Sequence, residues 1–192
     1  YIPAGHAFGW DVPVAIFKGT DEQIRKYAAP VIATGEKTFV AITEPSGGSD
    51  PARAIATKAE RKGDRYVLNG TKVFISGVSQ SRWGLVFART GPGKGRDGIS
   101  SFIVETAWKG FSYTRIPVIR AYSPYEVHLS DCEVPAENRL GEEGQGFALA
   151  ETWLVHERIP YAAAVIGIGQ AALKLAIDWA KERQTFRSPL AD

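Results

Sequence analysis

Apolar and polar positions divide the chain into three zones. In the first, up to about Lys37, Ile24, Tyr27 and Ala28 recur at helical spacing. Thr20 stands where an N-cap is expected, and Asp21 and Glu22 in the next turn complement the helix dipole. Pro30 weakens the pattern beyond, while Pro3, Gly5, Gly9 and Pro13 interrupt the opening residues. The second zone alternates in short runs that predict strands at 38–42, 56–61, 65–68, 71–76, 83–88, 100–104, 111–119 and 125–129. Between them lie the turn signals Lys62-Gly63-Asp64 and Asn69-Gly70, and the loop Gly91-Pro92-Gly93-Lys94-Gly95. Many short strands at close spacing predict a barrel or sandwich. The third zone begins near Gly144, with helical periodicity over 147–154 and a second helix over 159–186 that carries Pro160 in its first turn. That second helix is apolar nearly all round until Lys174, so it is expected to be a long buried helix of an incomplete bundle, with more partners than this chain supplies. The predicted class is α+β: a helical segment, a central β-barrel or sandwich domain, then the long helix.

Composition narrows the class. The 192 residues are 44% hydrophobic and 23% charged, as in ordinary soluble domains. With 23 basic and 21 acidic residues the net charge is +2, which argues against nucleic acid or an acidic membrane as partner. The longest uncharged apolar stretch, 159–173, contains Gln170 and falls short of the roughly 20 residues a span needs, so no membrane span is expected. One cysteine, Cys132, allows no internal disulfide and fits a reducing interior, bacterial cytoplasm or mitochondrial matrix. The chain starts at Tyr1 and has no methionine, so it is expected to be a segment of a longer protein. His6, His128 and His156 show no metal spacing, and no metal is expected.

Thr43-Glu44-Pro45-Ser46-Gly47-Gly48-Ser49-Asp50 is the most informative stretch. Glycines let a backbone approach a ligand closely, and free amides with hydroxyls suit phosphate. Taken alone it reads equally as a polar connection between a helical and a β zone. Downstream come Tyr66-Val67-Leu68-Asn69-Gly70-Thr71-Lys72, Val134-Pro135-Ala136-Glu137-Asn138, Leu140-Gly141-Glu142-Glu143-Gly144-Gln145-Gly146-Phe147 and Glu182-Arg183-Gln184-Thr185-Phe186. In this order and spacing the motifs resemble those of acyl-CoA dehydrogenases, from about Gly19 onward. Cys132 stands where relatives more often carry a larger apolar residue.

The resemblance implies three parts: 1–37, the end of an N-terminal helical domain; 38–143, a middle β-domain; and 144–192, the start of a C-terminal helical domain. It implies FAD as cofactor, an acyl-CoA substrate, a homodimer or homotetramer, and an electron-transferring flavoprotein as electron acceptor. The implied reaction is α,β-dehydrogenation, in which a carboxylate removes the α-proton while the β-hydride passes to flavin N5. An acyl-CoA oxidase, a flavin-dependent monooxygenase of the same fold, or an inactive β-module stand as alternatives. By the same resemblance Ile42 and Thr43 line the isoalloxazine, Gly48 and Ser49 hold the pyrophosphate, and Phe74, Ile75 and Ser76 lie against the flavin. Without it, Phe74 and Ile75 read as barrel core. Arg183, Thr185 and Phe186 match a segment reaching a partner subunit's FAD, and Arg suits phosphate; otherwise they are a helix end.

Glu157 occupies the place where a minority of the family carries its catalytic base; most carry it far downstream. The competing reading is a first-turn acid stabilised by the helix dipole. Ser49 and Arg158 match positions at the substrate. Val155 stands where many relatives have an Asp three residues before that Arg, beside the CoA-bearing substrate in some of them.

Overall fold

The computed structural model describes residues 12–92, 95–119 and 123–191, without the side chains of His156 and Glu157. The described residues form two compact units, one ending at Leu154 and the other beginning at Val155.

The first helix starts at its predicted cap. Thr20 Oγ1 accepts from the Gln23 amide at 3.2 Å, and Gln23 Oε1 accepts from the Thr20 amide at 3.0 Å. The helix, α1 over 21–34, runs through Asp21–Gln23, a wider π turn Ile24–Ala28, and Ala29–Thr34, and stops at Gly35 with φ 73°. The π turn precedes Pro30, whose ring crowds the carbonyl four residues back in a regular helix; Ala29 bonds one residue further, to Ile24 O.

Eight strands follow: β1 Lys37–Ala41, β2 Lys58–Lys62, β3 Arg65–Ile75, β4 Ser81–Arg89, β5 Ile99–Glu105, β6 Phe111–Arg115, β7 Tyr125–Pro135 and β8 Arg139–Leu140. They form one mixed sheet in the order β6-β7-β3-β2-β4-β5-β8, with β1 parallel to β4. All seven longer strands turn residues into one core, including Phe39, Ala59, Leu68, Val86, Phe102, Phe111 and Val127. The sheet therefore curls around its own interior. On the other face of β4, Trp83, Leu85 and Phe87 pack with Tyr27, Ile99 and Phe147, so β4 is buried on both sides. Asn138 locks this outer layer: its amide donates to Tyr27 Oη at 2.8 Å and to Ile103 O at 3.0 Å.

Asn69-Gly70 is not a hairpin turn. It lies inside β3, opposite a bulge in which Ser130 and Asp131 of β7 face the single residue Asn69. Asn69 holds the bulge, accepting from the Asp131 amide at 2.8 Å and donating to Asp131 Oδ1 at 3.1 Å. Gly70 has φ 155°, and a Cβ there would lie 2.4 Å from Thr57 Oγ1. Gly70→Ala should therefore cost about 2 kcal/mol or more, the range of overpacked cores. Urea unfolding checks this; an unchanged midpoint would contradict it.

The two helices expected over 147–154 and 159–186 are one 37-residue helix, α3 Gly146–Glu182, with Pro160 in its interior. Regular turns on both sides carry the helix past the hydrogen bond that Pro160 cannot make. Its start is anchored by Phe147 and Ala150 in the outer core. Farther along, Ile159 is 75% exposed and Leu175 71%. The partners this helix needs are thus not among the described residues, which include no second long helix. Such an apolar surface drives association. The isolated chain should sediment as concentration-dependent oligomers; a clean monomer at high concentration would contradict this.

Candidate functional site

Beyond β1, Ile42 and Thr43 run beside β3. The Val73 amide donates to Thr43 O at 2.9 Å, and Lys72 Nζ donates to Ile42 O at 3.2 Å. This places the Thr43–Asp50 motif next to the Phe74-Ile75-Ser76 motif, as a shared ligand requires. The motif then turns through Glu44-Pro45-Ser46-Gly47, closed by the Gly47 amide on Glu44 O at 3.0 Å. Ser46 Oγ donates to Ala54 O at 3.0 Å. Asp50 caps the short helix α2 Pro51–Ala54 and binds Arg53 Nη1 at 2.8 Å. Gly48 and Ser49 are left exposed between these anchors, and among the described residues nothing pairs with the Ser49 hydroxyl.

Phe74 sits on a second bulge, where Val73 and Phe74 of β3 face only Glu126 of β7. Its φ is 61°, and its side chain is 63% exposed. A left-handed, non-glycine residue costs about 1–2 kcal/mol, and the bulge re-aims the ring from the core to the surface. Strain of this kind clusters at functional sites. Ser76 is also exposed, whereas Ile75 is 3% exposed and packs in the inner core, so only its backbone faces outward to a ligand. An open pocket of about 430 Å³ adjoins this loop, with Ser49, Arg53, Arg96 and Phe147 among its lining residues. The Arg96 guanidinium lies 5.1 Å from the Phe147 ring centre and pairs with Glu151 at 2.7 Å.

Beneath the loop lies a buried ion pair. Lys72 Nζ meets Glu44 Oε1 at 2.8 Å, with the two side chains 0% and 5% exposed. Lys72 also donates to Ile42 O and Phe87 O, so its three protons have three acceptors. Glu44 Oε1 accepts from Thr57 Oγ1 at 2.6 Å, and Oε2 from the Ala56 amide at 2.8 Å. Burial by itself raises the Glu44 carboxyl, but the Lys72 charge and the bonds from Thr57 and Ala56 outweigh it and hold the group below the usual carboxylate range. Burial lowers the Lys72 ammonium against the pull of Glu44, and the 2.8 Å contact holds the two together as an ion pair. A depressed carboxylate contributes stability above its unfolded value, about 4.3, and loses it as pH falls through the lower folded value. Acid unfolding of the unaltered chain should include this loss, and Glu44→Gln should lack it; parallel acid titrations by circular dichroism would contradict the assignment. The Cys132 thiol is pushed up to about 11 by burial, which leaves it unreactive at neutral pH.

The second unit carries the other candidates. Glu157 lies in α3, but its side chain is outside the described residues. Arg158 is exposed on the same helix. Arg183 follows the helix end, its amide donating to Trp179 O at 2.8 Å. Strands β9 Gln184–Thr185 and β10 Ser188–Pro189 then form a hairpin whose two-residue turn is Phe186 at φ 52° and Arg187 at φ 77°. Such turns normally use Asn and Gly. Phe186 is fully exposed at the tip.

Comparison with known proteins gives this geometry a family. Residues 39–132 match the family described as acyl-CoA dehydrogenase, middle domain, and residues 144–192 match acyl-CoA dehydrogenase, C-terminal domain. The chain belongs to the acyl-CoA dehydrogenase family. It is similar to an acryloyl-CoA reductase (NADH) of Anaerotignum propionicum, with 41% identity covering 94% of this chain and 47% of the relative. It is also similar to the caffeyl-CoA reductase–Etf complex subunit CarC of Acetobacterium woodii, 39% identical over 92% of this chain and 47% of that one. Among solved structures, the acyl-CoA dehydrogenase of Geobacillus kaustophilus superposes with a TM-score of 0.90 at 31% identity, covering 98% of this chain and 51% of that one. The chain thus spans about half the length of these family members. By length and composition alone α3 could cross a bilayer; the family match assigns it to the C-terminal domain.

Glu44, Lys72 and Arg96 had no role from sequence. Lys72 was the legible one. It shares the parity of Tyr66 and Leu68 along β3 and therefore faces the same interior. Arg96 falls next to a loop that no periodicity orders.

Proposed function

We propose that the protein containing this chain is an FAD-dependent enzyme that interconverts saturated and α,β-unsaturated acyl-CoA thioesters, with dehydrogenation as its direction. One observation carries the reading: the exposed Phe74, held at positive φ on a bulge, stands on the strand segment whose Val73 amide bonds Thr43 O, next to Ile42. The donor set fits the cofactor. Phe74 with the Thr43 and Ser76 hydroxyls would hold a flat ring system, and the Ser49 hydroxyl with the Gly48 amide would hold an anion. Glu44 is turned inward onto Lys72, and the neighbouring Asp50 carboxylate is paired with Arg53 at 2.8 Å. Bound FAD would supply the hydride acceptor.

The chain's own residues do the rest. Gly48 and Ser49 bind phosphate, and Ile42 and Phe74 keep water from the ring. Glu157 holds the α-proton removed from the substrate, and Arg158 and Ser49 bind the CoA thioester. Arg183, Thr185 and Phe186 reach the cofactor of a second subunit in a homodimer or homotetramer. The name of the Acetobacterium relative supports an electron-transferring flavoprotein as the redox partner. The name of the Anaerotignum relative favours the second reading, the same chemistry run as a reduction. Anaerobic addition of a saturated acyl-CoA to the FAD-loaded protein tests the choice. Bleaching of the visible flavin band is expected. Bleaching only by NADH, with reoxidation by an unsaturated acyl-CoA, would overturn dehydrogenation in favour of reduction.

A further inference from the structure

The inner face of the flavin edge offers a residue pair that the cofactor never touches. Lys72 lies on β3, two residues before Phe74, and Glu44 lies one residue after Thr43. Their bond joins the two segments from below, and the Lys72 bond to Ile42 O and the Val73 amide bond to Thr43 O join them again at the edge. Lys72 reaches a third strand through Phe87 O on β4, and Glu44 reaches the start of β2 through Thr57. Thr57 in turn occupies the space left by the missing side chain of Gly70. Four stretches of chain thus converge on one ammonium and one carboxylate, two residues along β3 from the strained Phe74.

From this convergence we propose that Glu44 and Lys72 are positioning residues, which set the spacing between the Ile42-Thr43 and Val73-Phe74 backbones and so fix the surface that receives the isoalloxazine. The inference rests on the FAD reading above. Neither side chain is exposed, so neither contacts the cofactor; the pair acts through Ile42 O and the strand edge. A pair kept only for stability would be replaceable by a neutral pair of similar volume without effect on the ligand.

The test compares the unaltered FAD-binding protein with Glu44→Gln/Lys72→Met and with Thr57→Val, using FAD titration by fluorescence quenching and the visible spectrum of the bound flavin. The double variant removes both charges together, so no unpaired ion is left inside. Thr57→Val keeps the shape of Thr57 and removes one bond to Glu44. The double variant should bind FAD about tenfold more weakly, the order of one lost hydrogen bond to a charged group, and its flavin band should lose resolved structure. Thr57→Val should shift both readouts in the same direction by a smaller factor. Folded variants with unchanged affinity and spectrum would overturn the proposal. If the double variant does not fold, Thr57→Val alone decides, and its equality with the unaltered protein overturns it. No FAD uptake by the unaltered protein would instead overturn the cofactor reading itself, a separate failure visible before any variant is made.

Discussion

Replacing Glu157 with Gln is expected to slow flavin reduction by acyl-CoA in a single turnover by about two to four orders of magnitude, the contribution of a well-placed general base. Gln keeps the size of the side chain and cannot accept the α-proton. FAD content should not change, because the cofactor surface assigned above lies on other residues. Glu157 directly precedes Arg158, one of the two candidate substrate contacts, on the same helix. Rapid mixing with acyl-CoA, followed at the flavin band, gives the answer. A near-normal rate would show that the base lies elsewhere in the protein and that Glu157 is an ordinary acid of the helix.

Lys72→Met is expected to destabilise the fold by about 3–5 kcal/mol, the cost of leaving one member of a buried ion pair without its partner. Glu44 would keep its bonds from Thr57 and Ala56 but lose the positive charge that offsets its burial. Adding Glu44→Gln should recover much of the loss, because the unpaired charge is then gone. Urea unfolding followed by tryptophan fluorescence measures both. A loss below about 1 kcal/mol for the single variant would mean that water reaches the pair and that it resembles a surface salt bridge.

Most strands were legible, and the misreadings within the sheet trace to its two bulges. Alternation along β7 places Val127 and Leu129 inward, then Cys132 and Val134. The parity changes because the bulge inserts an extra residue at Ser130 and Asp131, so a reading by strict alternation stops at Leu129. The same bulge made Asn69-Gly70 look like a turn: Asn69 supplies the bulge's hydrogen bonds and Gly70 its clearance, the properties a turn also uses. At Phe74 the opposite happened. An apolar strand residue reads as core, and the structure exposes it because a local bulge overrides the period. The helix break expected before Ile159 followed from Pro160, but helices tolerate an interior proline when the flanking turns hold. The long-range pair Glu44–Lys72 was legible only in part, since parity points Lys72 inward but cannot name its partner.

Hydrogen exchange on the protein with and without FAD tests the placement of the cofactor most directly. The peptides covering 42–50 and 72–77 should become protected when FAD binds, while the exposed strand Phe111–Arg115 should not change. Binding of FAD that leaves 42–50 and 72–77 unprotected would contradict the assignment of this edge as the flavin site.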